Sequence, residues 1–197
     1  MASQQLDLEI KQGKTFVLTL QWGTTPILFV PITNVTKAAP PVVSATGHGL
    51  PAGWQVAVVS VQGMDDLNAK NDPPLASEYM SITIVDVNSV KLDGKNTSAY
   101  GTYKSGGYLR TYTPVDMASY TARMTIKDKI GGTILAALLS PTDIVIDNTG
   151  KTITVTIAAT VTAAMTKGGV YDIEMVNGLI VKELASGKVS FIKEVTT

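Results

Sequence analysis

The chain has 197 residues, 45% of them apolar and 16% charged, so it can bury a sizeable core and lacks the composition of a disordered chain. Its 16 basic and 16 acidic side chains balance, which leaves no net charge to attract nucleic acid or an anionic membrane. Cysteine is absent, so disulfides and thiolate metal sites are excluded. The start of the chain is polar and no apolar run approaches about 20 residues, so we expect neither a targeting segment nor a membrane span.

Two strands are predicted at the start of the chain. Residues 6–11 and 16–22 alternate apolar and polar side chains, the period-2 pattern of half-buried strands. Residues 23–26 read Gly-Thr-Thr-Pro, which predicts a turn. The short apolar run at residues 27–30 then predicts a strand that ends at Pro31.

Residues 32–112 differ in composition, with frequent proline and glycine between short Val-rich segments. Residues 71–74 are predicted to be a loop because proline has no backbone donor and fixes its own φ. Residues 96–107, rich in Ser, Thr, Gly and Tyr, are predicted to be a long exposed loop. The predicted strands of this stretch are residues 42–45, 54–61, 82–87, 90–92 and 108–112.

The strongest strand signal lies at residues 119–127. Tyr120, Ala122, Met124 and Ile126 alternate there with polar side chains, which predicts a central strand of a β-sandwich. A helix is predicted at residues 158–167 with Thr160 as its N-cap. Asn-Gly at residues 177–178 predicts a hairpin, and Ser-Gly at 186–187 a second turn. The other predicted strands are residues 133–139, 144–146, 151–157, 170–176, 179–185 and 188–195.

These patterns predict a host β-sandwich domain, residues 1–31 and 113–197, interrupted by an inserted domain, residues 32–112. Pro31 and Pro114 mark the two junctions. An insertion between neighbouring strands is tolerated when its ends lie close together. The first strand of the host, or its last at residues 188–195, is expected to be an edge on which a partner strand could pair.

The host pattern resembles a module of tailed-phage structural proteins. Residues 10–13 and 16–22 resemble the opening of these small β-sandwiches, and residues 114–124, 153–157 and 169–174 are similar to their later segments. The module is similar to the N-terminal domain of phage baseplate upper proteins, which anchors receptor-binding machinery to the virion. The resemblance implies a structural subunit of a virion.

The insert resembles a second module. Residues 42–50, 58–64, 82–94 and 100–107 resemble a small β-barrel annotated in phage proteins by similarity to the first catalytic cysteine half-domain of ubiquitin-activating enzymes. Only the scaffold is implied, since the chain has no cysteine. Residues 68–79 depart from the pattern, and residues 71–75 look like an added loop. The fold expected is therefore all-β, an immunoglobulin-like β-sandwich with an inserted small β-barrel.

The sequence offers no convincing catalytic or metal motif. His48 is the single histidine, and its flanking glycines favour a turn over an acid–base or metal site. Asp65, Asp66 and Asn68 lack the oxygen spacing of a calcium loop and favour a capped turn. No catalytic residue, metal ligand or cofactor is therefore predicted, and we expect the protein not to be an enzyme.

One cluster of aromatic and basic side chains is a candidate protein interface, because Tyr and Arg are enriched at interface hot spots. The same residue types could stack on sugars or single-stranded bases, or could be an ordinary strand surface. The cluster comprises Tyr100, Tyr103, Lys104, Tyr108, Arg110 and Tyr112.

The function expected is that of a non-enzymatic structural subunit of a tailed bacteriophage virion, an adaptor of the tail, neck or baseplate that links the particle to fibres. A capsid decoration or head-fibre protein is the alternative within that class, and a carbohydrate-binding module is the alternative outside it. The expected partners are other virion proteins and further copies of the chain, with neither nucleic acid nor membrane. Assembly is expected in the cytoplasm of the host bacterium.

Overall fold

A computed structural model of the chain describes residues 4–194. Val195, placed by sequence at the end of the last strand, lies outside the described residues. The chain divides into two compact units. We call Met1–Trp22 with Val115–Thr197 the host unit, and Gly23–Pro114 the inserted unit.

The regular structure is almost entirely β. Two single-turn 3-10 helices lie at Asp65–Leu67 and Ala76–Glu78, and one short helix, α1, spans Ala159–Ala164. In chain order the strands are β1 (Gln4–Gln5), β2 (Leu8–Lys11), β3 (Phe16–Gln21), β4 (Gly23–Pro31), β5 (Asn34–Val35), β6 (Val42–Ser44), β7 (Gln55–Val59), β8 (Met80–Asp86), β9 (Ser89–Leu92), β10 (Tyr108–Pro114), β11 (Thr121–Lys127), β12 (Ile134–Leu139), β13 (Ile144–Asp147), β14 (Thr152–Ile157), β15 (Gly169–Asn177) and β16 (Ile180–Ile192).

The host unit consists of two sheets that share one core. The larger sheet has the order β1-β16-β15-β11-β12, with β2 also paired to β16, and the smaller has the order β13-β14-β3. Buried side chains of the larger sheet, such as Ile10 and Ile173, belong to the same cluster as Ile153 and Val155 of the smaller sheet. The predicted all-β, sandwich-type fold is therefore confirmed.

Strand β11 is an interior strand of the larger sheet, as its alternation predicts, but it lies next to the edge strand β12 and not at the centre of the sheet. It pairs antiparallel with β15 on one side and β12 on the other. Ala122, Met124 and Ile126 are buried, whereas Thr121 and Arg123 are exposed. Alternation places every second side chain in the core, so this strand carries much of the host packing.

The turn predicted at Ser186–Gly187 is wrong, because β16 runs through it as one strand of 13 residues. A side chain at Gly187 would collide with the backbone oxygen of Leu6. The glycine therefore permits close approach of two backbones rather than a reversal of the chain. The Gly178 hairpin between β15 and β16 is present, with Asn177 paired to Ile180.

The predicted helix is shorter than expected, and Thr160 is not its N-cap. The helix begins at Ala159, and the N-cap position, Ala158, makes no side-chain capping bond. Thr162 is buried instead, and its hydroxyl donates to the carbonyl oxygen of Lys14 at 2.8 Å. A tertiary hydrogen bond thus fixes this helix in place of a local cap.

The inserted unit is one seven-stranded sheet with the order β4-β10-β7-β8-β9-β6-β5. Its own core includes Val43, Val56, Ile82 and Leu109, all fully buried. Within the described residues, no ladder joins the edge strands β4 and β5, so closure into a barrel stays a prediction.

The first boundary of the insert lies nine residues before the predicted one, at Trp22/Gly23 instead of Pro31/Ile32. Strand β4 belongs to the inserted unit because it pairs along its length with β10. The turn predicted at residues 23–26 is wrong for the same reason, since Thr24 pairs with Thr113 in this ladder.

Of the two host strands expected at an edge, the first lies at one, because β1 and β2 take the outer position of the larger sheet beside β16. The last strand, β16, is not an edge, because β15 flanks one side and β1 and β2 the other. At the β12 edge, the Asp143 carboxylate accepts from the N–H of Leu139, and the N–H of Asp143 donates to the carbonyl oxygen of Leu139. Asp143 therefore occupies one end of this edge and shortens the stretch on which a foreign strand could pair.

Candidate protein interface

The outer face of the β4–β10 ladder gathers aromatic and basic side chains in the inserted unit. Along β10, Tyr108, Arg110 and Tyr112 alternate with two fully buried residues, so all three point away from the core. Phe29 of β4 pairs with Arg110 and therefore shares this face. The ladder brings together side chains that are 81 positions apart in the chain.

Aromatic contacts extend this face beyond the two strands. The Phe29 and Tyr108 rings meet edge to face with centroids 6.0 Å apart. Tyr79 stacks on Tyr112 with centroids 6.4 Å apart and an interplanar angle of 24°. Phe29, Tyr108 and Tyr112 keep 52%, 42% and 41% of their surface exposed, a large apolar area for an isolated domain. We call Phe29, Tyr79, Tyr108, Arg110 and Tyr112 the aromatic face.

Arg110 lies at the centre of the aromatic face and is poorly paired. Its guanidinium carbon is 5.8 Å from the centroid of the Phe29 ring, a cation–π distance. Nη1 donates to Oδ1 of Asp72 at 3.3 Å, a long contact for an ion pair. Nε is buried and has no hydrogen-bond partner. The side chain is only 15% exposed, whereas that of Asp72 is 99% exposed.

Asp72 lies in a loop that Glu78 organises. The Glu78 carboxylate accepts hydrogen bonds from the backbone N–H groups of Lys70, Asn71 and Leu75, at 2.5, 3.3 and 2.7 Å. These bonds lower the pKa of Glu78, with that from Leu75 contributing most. Glu78 thus holds the backbone of the loop on both sides of Asp72, and these bonds do not depend on the contact between Asp72 and Arg110.

The pKa of Tyr79 is affected by burial and by the charge of Arg110. Burial raises the pKa of the Tyr79 hydroxyl, and the nearby positive charge of Arg110 acts in the opposite direction. The ring is therefore neutral at physiological pH and can present its hydroxyl as a donor at the margin of the aromatic face.

The other members of the predicted cluster, Tyr100, Tyr103 and Lys104, are not part of the aromatic face. Tyr100 and Tyr103 are partly buried and pack against the core of the inserted unit. The Tyr103 hydroxyl lies 3.0 and 3.1 Å from the carbonyl oxygens of Ile32 and Gly106, which share its single proton. Lys104 is exposed. The structure thus brings together Tyr108, Arg110 and Tyr112, and uses the two loop tyrosines within the unit.

Sequence reasoning missed Phe29 and Tyr79. Phe29 lies in an all-apolar run, Ile27 to Val30, so no contrast with polar neighbours marks it as exposed. Tyr79 carried no signal either, since it follows a 3-10 helix at the end of an irregular loop.

His48 is engaged in local structure. It is 7% exposed, its Nδ1 accepts the N–H of Leu50 at 3.1 Å, and its Nε2 lies 2.9 Å from the carbonyl oxygen of Asp86. An Nδ1 that accepts requires Nε2 to carry the proton and donate to Asp86. Both ring nitrogens are therefore used, which favours the turn-stabilising role.

The acidic turn at Asp65 and Asp66 forms one of the 3-10 helices. Asn68 does not point to a cation: its side-chain oxygen accepts from the N–H of Val61 and its nitrogen donates to the Val61 carbonyl, at 2.8 and 2.9 Å. Among residues 4–194, no three His, Cys, Asp or Glu side chains are placed to hold a metal ion.

The host unit carries a separate polar groove of about 770 Å³ on the outer face of its larger sheet. Arg123 and Glu174 form an ion pair there at 2.5 Å. Asp172 lies beside them, and its pKa is raised by burial and, to a lesser extent, by the negative charges of Glu174 and Glu183. The groove is thus a surface of mixed charge.

The described helices include none that is long and apolar enough to cross a membrane. Compared with protein-family models and with curated proteins, the sequence matches none.

Proposed function

We propose that this chain is a non-enzymatic structural subunit of a tailed bacteriophage virion, an adaptor of the tail, neck or baseplate that joins the particle to its fibres. The proposal draws on the resemblance of most of residues 6–31 and 114–195 to the β-sandwich module of phage baseplate upper proteins. An all-β host unit with an inserted second unit is the type of architecture that this resemblance implies.

The observation that carries the proposal is the aromatic face. Three large aromatic side chains, Phe29, Tyr108 and Tyr112, stay about half exposed around a central arginine. Aromatic and arginine side chains dominate the binding energy of protein interfaces, because they bury large areas with few rotatable bonds. A face of this composition is the natural contact of the inserted unit with another virion protein.

The charge balance supports the same conclusion. Sixteen positive and 16 negative side chains give a net charge of zero, whereas isolated soluble domains commonly depend on net charge to avoid association. A subunit packed among neighbours in a particle has less need of that repulsion. The low charge and the exposed rings are both explained if other subunits cover part of this surface.

A carbohydrate-binding module is the candidate from a different class. The exposed rings of Phe29, Tyr108 and Tyr112 could stack on sugar rings, as aromatic side chains do on other flat ligands. A capsid decoration or head-fibre protein would use the same face against a different neighbour. Binding of glycans without assembly into particles would favour the carbohydrate-binding module.

The proposal is tested by assembly. The chain is expressed in bacteria together with its neighbouring genes, particles are purified on a gradient, and the copy number of the chain is measured by mass spectrometry. We expect the chain to sediment with the particles at fixed stoichiometry. Replacing Tyr108 and Tyr112 by alanine should lower its incorporation at least tenfold, because the aromatic anchors are lost.

The matched control is the double change Val85→Ala and Val87→Ala, which removes two exposed apolar side chains of the same unit outside the aromatic face. This control should assemble normally. Normal incorporation of the Tyr108 and Tyr112 variant would contradict the assignment of the aromatic face as the interface, and absence of the wild-type chain from particles would overturn the proposed function.

A further inference from the structure

We propose that Arg110 is a binding site for a carboxylate, that its ligand is an aspartate or glutamate side chain of a partner protein, and that Asp72 occupies the site until the partner displaces it. This inference rests on the proposed function, since it specifies the chemistry of the partner that the aromatic face receives.

The first argument is the unsatisfied state of Arg110. A guanidinium has five N–H donors in a planar fork that suits a carboxylate with two parallel hydrogen bonds. In the structure, the fork makes one contact with Asp72, at 3.3 Å, and the buried Nε has no acceptor. A buried donor without a partner is costly, so this site gains from an acceptor that reaches Nε.

The second argument is the weakness of the present occupant. Asp72 is 99% exposed and touches Arg110 through a single pair of atoms. Exposed ion pairs of this kind contribute little to stability. The loop around Asp72 is held by the three hydrogen bonds to Glu78, so Asp72 can release Arg110 without disordering the loop.

The third argument is that the aromatic residues around Arg110 favour a carboxylate that is carried by a protein segment. Phe29 lies against the guanidinium, and Tyr79 is near enough for the Arg110 charge to act on its pKa. One guanidinium balances the single charge of a carboxylate but leaves a phosphate dianion half compensated. An aromatic surface with one central cation therefore fits an acidic side chain flanked by apolar residues, the composition of a protein segment.

The experiment follows the Arg110 Nε–Hε signal by NMR on the full chain. The probe is 3-phenylpropanoate, which joins a carboxylate to an apolar ring, and the matched neutral probe is 3-phenylpropanamide. We expect the acid to shift the Arg110 signal and those of the neighbouring tyrosine rings, and to bind at least tenfold more tightly than the amide. Arg110→Gln should abolish this preference.

The decisive variant is Asp72→Asn, which removes the competing charge but changes no buried group. It should raise the affinity for 3-phenylpropanoate at least threefold, because the site no longer has to release its own occupant. The matched control is Asp66→Asn, an exposed aspartate that makes no contact with Arg110 in the described part of the chain, and it should leave the affinity unchanged.

Several results would overturn the inference. Equal binding of the acid and the amide would show that Arg110 is not the recognition element, and unchanged affinity in Asp72→Asn would show that Asp72 is no competitor. Stronger binding of N-acetylneuraminate than of 3-phenylpropanoate would assign the site to an acidic glycan. If these tests fail while the Tyr108 and Tyr112 variant still blocks assembly, the proposed function survives and only the carboxylate site is rejected.

Discussion

Replacing Ile126 by alanine should destabilise the host unit severely. Ile126 is fully buried near the end of β11, an interior strand of the larger sheet. Isoleucine has three carbon atoms more than alanine, and about 0.8 kcal/mol for each gives a lost burial of about 2.4 kcal/mol. A residual cavity of roughly 50 Å³ adds about 1.2 kcal/mol. The expected loss in the free energy of unfolding is therefore about 3.6 kcal/mol.

The two tryptophans allow the two units to be followed separately. Trp22 is buried in the host core and Trp54 in the core of the inserted unit. In a Trp54→Phe background, urea titration monitored by fluorescence reports the host unit through Trp22 alone. The Ile126→Ala change should move this transition to much lower urea, while a Trp22→Phe background should show the Trp54 transition almost unmoved.

The matched control is Thr125→Ala on the opposite face of the same strand. Thr125 is half-buried and lines the polar groove, so its replacement should cost less than about 1 kcal/mol, mainly through lower β-propensity. Equal losses at the two positions would refute the reasoning, since they would mean that both faces of β11 are packed against a core.

Three further outcomes are expected. Tyr103→Phe should destabilise the inserted unit by roughly 1–2 kcal/mol, because the carbonyl oxygens of Ile32 and Gly106 lose the one donor that they share. An unmoved Trp54 transition in urea would contradict this. Folding raises the pKa of Tyr171 from 10.0 to about 12, chiefly through burial. The free energy of unfolding of the host unit should therefore be unaffected by this ionisation below pH 10 and should fall between pH 10 and 12. In urea titrations across that range, the Tyr171→Phe variant should lose less stability than the wild type. Replacing residues 23–114 by Asn-Gly should leave a host unit that unfolds cooperatively. A short turn can join the two ends, because the N–H of Val115 donates to the carbonyl oxygen of Trp22 at 3.0 Å. A chain without tertiary structure by near-UV circular dichroism would contradict this.

Local patterns were sufficient to predict the strands that alternate strictly. In β11 the apolar residues face one core and the polar ones a groove, so the period of two is complete. The same holds for β14, where Ile153, Val155 and Ile157 are buried. These strands were predictable because each has one buried face and one polar face, so apolar and polar residues alternate along the sequence.

The failures all depend on contacts far along the chain. The glycine at 187 looks like a turn residue until the backbone of Leu6, 181 positions away, is placed against it. The segment at residues 23–26 looks like a turn until β10 pairs with it. The aromatic face is predictable only in part for the same reason, since the pairing of Phe29 with Arg110 is a matter of register across a long loop.

The parallel pairing of β2 with β16 has a consequence for synthesis of the chain. The backbone N–H of Lys188 donates to the carboxylate of Asp7, a contact that joins positions 181 residues apart. At about 5–20 residues per second, translation needs about 10–40 s to supply the partner of the first strands. The inserted unit has all its strands once Pro114 has left the ribosome, so it can fold first. The apolar side chains of Leu8 and Ile10 cannot be buried in the host core until β16 has been synthesised.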